Sequence, residues 1–196
     1  DGTAIAPADY GAVGGTLTFL PGSDTETFNV TIVDDGLDEP AETVNLTLTG
    51  TSPNANLDTP SAAILTILDN DAPTVQFSNA AYAVNESAGS AIITVTLNGS
   101  SWQPVSVNYT TGDGTALATS DYGATSGTLA FAPGQTVLTF TVTITDDALL
   151  EMAETAALTL SSPVSATLGA PAIATLTILD DDPLPDIAFS SAAYSV

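Results

Sequence analysis

From Leu138 to Ile144 apolar residues and threonines alternate strictly: Leu138, Phe140, Val142 and Ile144 share one parity, Thr139, Thr141 and Thr143 the other. Side chains of an extended chain point alternately to its two faces, so this segment predicts a strand with one buried face and one hydroxyl-covered face. The same alternation runs through Phe28, Val30 and Ile32, through Ile93, Val95 and Leu97, through Val105, Val107 and Tyr109, through Leu158 and Leu160, and through Ala174, Leu176 and Ile178. No segment holds a 3.6-residue period over three turns. Seven strands are predicted at about 75–85, 91–98, 104–111, 126–132, 136–146, 154–161 and 172–180, with Pro133-Gly134 as the turn of a hairpin. Short strands with frequent turn signals predict an all-β fold: antiparallel, immunoglobulin-like, Greek-key seven-stranded β-sandwiches.

The pattern recurs. Asp1-Gly-Thr-Ala matches Asp113-Gly-Thr-Ala, Asp9-Tyr10-Gly11 matches Asp121-Tyr122-Gly123, and GTLTFLPG at 15–22 matches GTLAFAPG at 127–134, each offset by 112 positions. LTILDND at 65–71 matches LTILDDD at 176–182, and VQFSNAAYAV at 75–84 matches IAFSSAAYSV at 187–196. A period of this length is a domain, not a solenoid repeat. Residues 72–182 are expected to form one complete unit, residues 1–71 the later part of a preceding unit, and residues 183–196 the first strand of the next. The connections at 69–74 and 180–186 are short and contain proline, which restricts their conformers. A semi-rigid tandem array is the expectation.

Composition narrows the chemistry. The chain has 23 acidic residues and no Lys, Arg or His, so its formal net charge is −23. Nucleic acid as a partner is excluded by like charge. A hydrophobic share of 44% distinguishes the chain from a disordered acidic tail, and no apolar run is long enough for a membrane-spanning helix. Without His, Cys, Lys or Arg there is no Ser–His–Asp triad, no thiol nucleophile, no Schiff-base lysine and no phosphate clamp. Paired carboxylates remain as a catalytic option, and a crowded sandwich tip offers them neither an open cleft nor an obvious acid, so a non-enzymatic role is expected. The absence of cysteine fits an extracellular protein held together by something other than disulfides, and does not exclude a cytosolic one.

Most of the acids sit where predicted strands end: Glu86 after the first, Asp121 after the third, Asp146, Asp147, Glu151 and Glu154 between the fifth and sixth, and Asp180, Asp181 and Asp182 after the last. The preceding unit repeats them as Asp9, Asp34, Asp35, Glu39, Glu42, Asp69 and Asp71, with Asn70 in place of the middle acid of the closing triplet. In a sandwich these strand exits share one end. Two unit charges about 4 Å apart at an effective dielectric of ~20 repel by roughly 4 kcal/mol, so such a tip opens unless protons or cations intervene. A hard divalent cation with oxygen ligands resolves the conflict, and Ca²⁺ accepts irregular loop geometry better than Mg²⁺. Two or more ions per tip are expected. Solvated loop acids, as on a halophile surface, are the bland alternative; they ought to be scattered over strand faces, which here carry Thr and Ser. Asp24, Glu26, Asp38, Asp58 and Asp186 read as ordinary solvated acids, Asp1 and Asp113 as turn residues, and Tyr10 and Tyr122 as packing residues. Trp102 reads as closing a loop. Asn29, Asn45, Asn85, Asn98 and Asn108 stand in N-x-S/T triplets, which chance largely explains in a Thr-rich chain.

The combination of Asp-Gly-Thr-Ala, Asp-Tyr, Gly-Thr-Leu…Phe-x-Pro-Gly, Asp-Asp…Glu-x-x-Glu and a closing Asp-x-Asp resembles the Calx-β domain, the Ca²⁺-binding module of Na⁺/Ca²⁺ exchangers and of many extracellular repeat proteins and adhesins. The resemblance implies ligation by Glu86, Asp121, Asp146, Asp147, Glu151, Glu154 and Asp180–Asp182, joined by a backbone carbonyl of Leu149, and by the matching acids of the first unit. The leading expectation is a calcium-stiffened extracellular or cell-surface stalk, adhesin or filament, whose partners are neighbouring repeats and other copies in a filament. The alternative is a Ca²⁺-sensing or ligand-presenting module of a larger protein.

Overall fold

A computed structural model describes residues 2–50 and 55–193 and divides the chain into two compact units, Asp1–Asp71 and Ala72–Val196. Asp1, which the sequence assigns to a turn, lies outside the described residues.

In the first unit, strands β1 (Glu42–Thr47) and β2 (Ala62–Ile67) pair antiparallel, with Val44 opposite Leu65. Val44, Tyr10 and Ala4 form a small core flanked by Val30, Leu46 and Ile67. The strand expected through Phe28–Ile32 is reduced to one bridge between Tyr10 and Ile32, and Phe28 is half exposed. The matching segment of the second unit, Val137–Thr143, is held by a ladder with Ser90–Leu97.

The second unit contains β3 (Thr74–Phe77), β4 (Ala81–Asn85), β5 (Ser90–Leu97), β6 (Val105–Asp113), β7 (Ser126–Phe131), β8 (Val137–Thr143), β9 (Glu154–Val164), β10 (Thr167–Leu168) and β11 (Ile173–Leu179). They form two sheets, in the orders β10-β3-β5-β8 and β4-β11-β9-β6-β7. Between the sheets, Phe77, Ile93, Val95, Val107, Phe131, Val142, Leu158 and Leu176 are almost wholly buried. Burial of each such side chain is worth roughly 1.5–3 kcal/mol. The alternating parity of the sequence is thus the inward face of a β-sandwich.

The single first strand expected at 75–85 is in fact two. β3 runs antiparallel to β5, then the chain crosses over and β4 runs parallel to β11 in the facing sheet. Tyr82 fixes the crossing: its hydroxyl donates to the Thr94 carbonyl at 2.9 Å and accepts from the Asn79 N–H at 3.3 Å, and its ring meets Phe77 edge-on. Residues 187–193, which repeat the sequence of β3 and the start of β4, form no strand. Ile187 and Phe189 are 99% and 89% exposed, where the matching Val75 and Phe77 are at 0%. In the complete unit that strand is buried by elements that all follow it in sequence. Residues 194–196, the end of this expected strand, lie outside the described residues.

The registers place the chemistry. Asn85 pairs with Leu179, Glu154 with Ile178, Asp113 with Ala156, and Ser90 with Thr143. The ends of β4, β6, β8 and β11 and the starts of β5 and β9 therefore share one pole.

Candidate metal centre

At that pole β4 leads into a single 3-10 turn, Glu86–Ala88, which aims Glu86 inward; the residue is only 5% exposed. Gly89 ends the turn at φ 69°, a conformation that costs glycine little. Its carbonyl accepts the Ile144 N–H, tying the turn to the exit of β8. Asp146 and Asp147 follow that exit directly. Asp147 Oδ1 accepts the Leu149 N–H at 2.7 Å, which folds the acidic loop back on itself. The first unit repeats this with Asp35 and Leu37 at 2.8 Å. The Leu149 contact shown is thus through its N–H.

Three carboxylate triads form in the second unit, each with ligand oxygens within 4.8 Å of one another: Glu86–Asp146–Asp181, Glu86–Asp147–Asp182 and Asp121–Glu151–Glu154. Asp180 belongs to no triad but lines the same cavity as Glu86, Asp121, Asp147, Glu151 and Glu154. In the first unit, Asp9, Glu39 and Glu42 form a triad, and Asp34, Asp35, Asp69 and Asp71 line the cavity beside it.

The electrostatics are those of uncompensated negative charge. Burial, then the Asp180 and Asp182 carboxylates, push Glu86 up to about 7. Asp182, Glu151 and Glu154 are also raised, by burial first and then by neighbouring acids; for Glu154 the next cause is a carboxyl–carboxyl hydrogen bond with Asp121. In the first unit Glu39, Glu42 and Asp71 are raised for the same reasons, and Glu42 is bonded to Asp9.

Glu86 Oε1, Asp180 Oδ1 and Asp182 Oδ2 are buried and have no hydrogen-bond partner among the described residues. Buried acceptors without donors cost free energy; Glu86 and Asp180 line the cavity, Asp182 joins Glu86 and Asp147 in a triad, and the ionisable groups gathered here are all carboxylates. This set fits a hard divalent cation and suits neither a thiophilic nor an imidazole-preferring metal.

Two residues outside the expected ligand set hold this site: Asp113, read in the sequence as a turn residue, and Ser87, which the sequence did not single out. Asp113 Oδ1 accepts from the Tyr122 hydroxyl at 2.7 Å and from the Ala118 N–H at 2.9 Å. Ser87 donates to both oxygens of Asp181, through its hydroxyl to Oδ2 and through its N–H to Oδ1. The repetition of Asp-Gly-Thr-Ala was the available signal for the first; the second had none. Trp102 is half exposed, in the loop between β5 and β6.

A family model, the Calx-beta domain, matches residues 1–71 and 69–182. Extracellular matrix protein 3 of Lytechinus variegatus is 32% identical over 99% of this chain, which spans 7% of that protein. The mouse extracellular matrix organizing protein FRAS1 is 34% identical over 91% of the chain and 5% of its own length. The sodium/calcium exchanger Calx of Drosophila melanogaster is 33% identical over 67% of the chain and 14% of its own length. The chain therefore spans a small fraction of these relatives. Among solved structures, the apo-form Calx CBD1 domain superposes with a TM-score of 0.55 at 34% identity, covering 57% of this chain and all of that domain. The calcium binding domain CBD12 of CALX1.1 gives 0.53 at 36% identity, covering 55% of this chain and 46% of that one. With that family model matched over residues 1–71 and 69–182 and the sandwich shared with the Calx CBD1 domain, the chain belongs to the Calx-beta domain family.

Proposed function

We propose that this chain is a calcium-binding segment of an extracellular tandem-repeat structural protein, a stalk, adhesin or filament stiffened by Ca²⁺ where one repeat meets the next. The observation that carries the reading is the set of orphaned, buried carboxylate oxygens on Glu86, Asp180 and Asp182. Two of these three residues belong to the Asp180–Asp182 triplet that directly precedes the Pro183-Leu184-Pro185 connection. In the complete unit the ligands are Glu86, Asp121, Asp146, Asp147, Glu151, Glu154 and Asp180–Asp182, with the Leu149 carbonyl. In the first unit they are Asp9, Asp34, Asp35, Glu39, Glu42, Asp69 and Asp71. Bound calcium supplies the positive charge that the sequence lacks. Glu86 then gives up its proton, and the closing triplet holds the start of the connection against the tip. The stabilisation is about 2.7 kcal/mol per ion at a hundredfold excess over Kd. Two relatives named as extracellular matrix proteins support the location. In this reading the carboxylates are ligands rather than acid–base catalysts, and the partners are neighbouring repeats and other copies.

The test is a calcium titration with EDTA reversal. The melting temperature of the complete unit and the X-ray-scattering persistence of the chain both rise with calcium and fall on chelation. Unchanged values overturn the reading. A second reading, a calcium-sensing regulatory module, is favoured by the likeness to the exchanger Calx. It differs in expecting a calcium-dependent shape change without added stiffness.

A further inference from the structure

The Gly-Thr-Ala that follows each of Asp1 and Asp113 supplies no carboxylate, yet it touches both elements that carry one. In the complete unit the Ala116 N–H donates to the Thr155 carbonyl at 3.0 Å, and Thr115 Oγ1 accepts the Thr155 N–H at 2.8 Å. Gly114 lies so close to the same residue that a Cβ there would overlap the Thr155 carbonyl oxygen. Thr155 is the neighbour of Glu154. On the other side, the Leu117 N–H donates to Asp121 Oδ2 at 2.6 Å. The segment 114–117 therefore grips the backbone next to Glu154 and the carboxylate of Asp121 at once.

The first unit repeats every one of these contacts. Ala4 N–H donates to the Thr43 carbonyl at 3.1 Å, Thr3 Oγ1 accepts the Thr43 N–H at 2.8 Å, a Cβ on Gly2 would overlap the Thr43 carbonyl oxygen, and Ile5 N–H donates to Asp9 Oδ2 at 2.6 Å. Glu42 precedes Thr43 as Glu154 precedes Thr155. In both units the gripped carboxylate and the glutamate beside the gripped threonine are members of one triad. In the complete unit they line the cavity that also receives Glu86, whose buried Oε1 has no hydrogen-bond partner among the described residues.

We infer that Gly-Thr-Ala is a positioning frame: it sets the separation of Asp121 from Glu154, and of Asp9 from Glu42, and thereby determines the affinity of that carboxylate pair for a divalent cation. Thr115 and Thr3 are positioning residues, acting through Thr155 and Thr43. The inference rests on the calcium-binding reading above. It goes further by assigning part of the affinity to residues that never contact the ion. Groups that orient ligands typically govern about 10–100-fold in metal affinity.

The experiment compares the wild-type chain with Thr115→Val, which keeps the shape and removes the acceptor, and with Thr115→Ser, which restores it. Calcium binding is followed by calorimetric titration, and melting is followed with calcium and with EDTA. The expected result is a loss of roughly tenfold in affinity for one class of ions in Thr115→Val. Its calcium-induced rise in melting temperature shrinks, and Thr115→Ser behaves as wild type. A merely structural threonine lowers both melting temperatures equally and leaves the calcium-induced rise intact, and that result overturns the inference. If Thr115→Val does not fold, Thr3→Val puts the same question to the first unit, with the complete unit folded as an internal reference. A wild-type chain that binds no calcium overturns the functional reading and this inference together; wild-type binding with an undiminished Thr115→Val overturns only the inference.

Discussion

The hydroxyl of Tyr122 donates to Asp113 Oδ1 at 2.7 Å, across the loop that carries Asp121. Tyr122 is 1% exposed, and burial, then the bond to Asp113, push it up to about 12. The same bond is the first cause of the lowered pKa of Asp113, followed by the Ala118 N–H. A core aromatic and a strand-end acid thus fix both flanks of a ligand loop.

Tyr122→Phe tests this bond. Loss of one hydrogen bond lowers stability by about 1 kcal/mol, with little cavity because the ring remains. The sign with pH follows from Asp113. A depressed carboxyl stabilises the fold above its unfolded pKa, and the contribution is lost as pH falls through its folded value. The gap in denaturant midpoint between wild type and Tyr122→Phe is therefore widest at neutral pH and closes in acid. A gap independent of pH contradicts the assignment.

The sheets and the acidic pole were legible in the sequence because both rest on local pattern. Alternation from Leu138 to Ile144 needs no knowledge of partners, and acids at strand ends converge once the strands do. The break between Phe77 and Ala81 left one trace in the sequence, a switch of inward parity from Val75 and Phe77 to Tyr82 and Val84; that this switch is a crossing to the facing sheet shows only in the Tyr82 hydroxyl, bonded to a carbonyl of the sheet that β4 has left. Phe28–Ile32 forms no ladder although it alternates as β8 does: β8 is paired with β5, and alternation reports a strand's faces, not its partner. Asp113 and Asp121 both precede or follow turn residues and look alike in sequence. Both accept a backbone N–H; what separates them is that the Asp113 carboxylate also accepts the Tyr122 hydroxyl, whereas Asp121 faces Glu151 and Glu154.

Glu86 gives the ion-free domain a characteristic pH response. Its folded value of about 7 exceeds the ordinary 4.5, so the native state binds a proton that the unfolded chain has released. Stability from this group is present at the acid end and is lost as pH rises through about 7; the raised Asp182, Glu151 and Glu154 act in the same direction. In EDTA the melting temperature therefore falls between about pH 5 and 8. With saturating calcium the trend reverses, because the bound ion requires the ionised carboxylate, and calcium uptake near neutral pH releases protons. Melting curves across pH with and without EDTA check both signs. Glu86→Gln flattens the EDTA slope to the share carried by Asp182, Glu151 and Glu154, raises ion-free stability at pH 8 and reduces calcium uptake.

Phe77→Ala separates the core from the tip. Phe77 is fully buried among the sandwich side chains, and its truncation costs about 3–5 kcal/mol through lost burial and a cavity. Because it contributes nothing to the pole, the cost is the same in calcium and in EDTA when each variant is compared with wild type by denaturant unfolding. A cost that depends on calcium shows instead that core and pole fold as separate steps.

Asp181→Asn gives the complete unit the closing triplet of the first unit, where Asn70 stands. Asp181 is the third carboxylate of the Glu86–Asp146–Asp181 triad and is held by both donors of Ser87. An amide has nearly the same shape, keeps one oxygen for the Ser87 N–H and can donate its NH2 to the Ser87 hydroxyl oxygen, so the loop has no steric reason to move, but it removes one unit of charge. At about 4 Å and an effective dielectric of ~20, a unit charge beside a divalent ion is worth several kcal/mol before desolvation. A tenfold loss of affinity needs only about 1.4 kcal/mol. Charge therefore outweighs hydrogen bonding at this position. The expected outcome is at least a tenfold weakening of one class of calcium sites by calorimetric titration, with the class that includes Asp121, Glu151 and Glu154 unchanged. Equal affinity in the variant and the wild type shows that Asp181 serves Ser87 rather than an ion, and that the substitution at Asn70 carries no difference in calcium response between the two units.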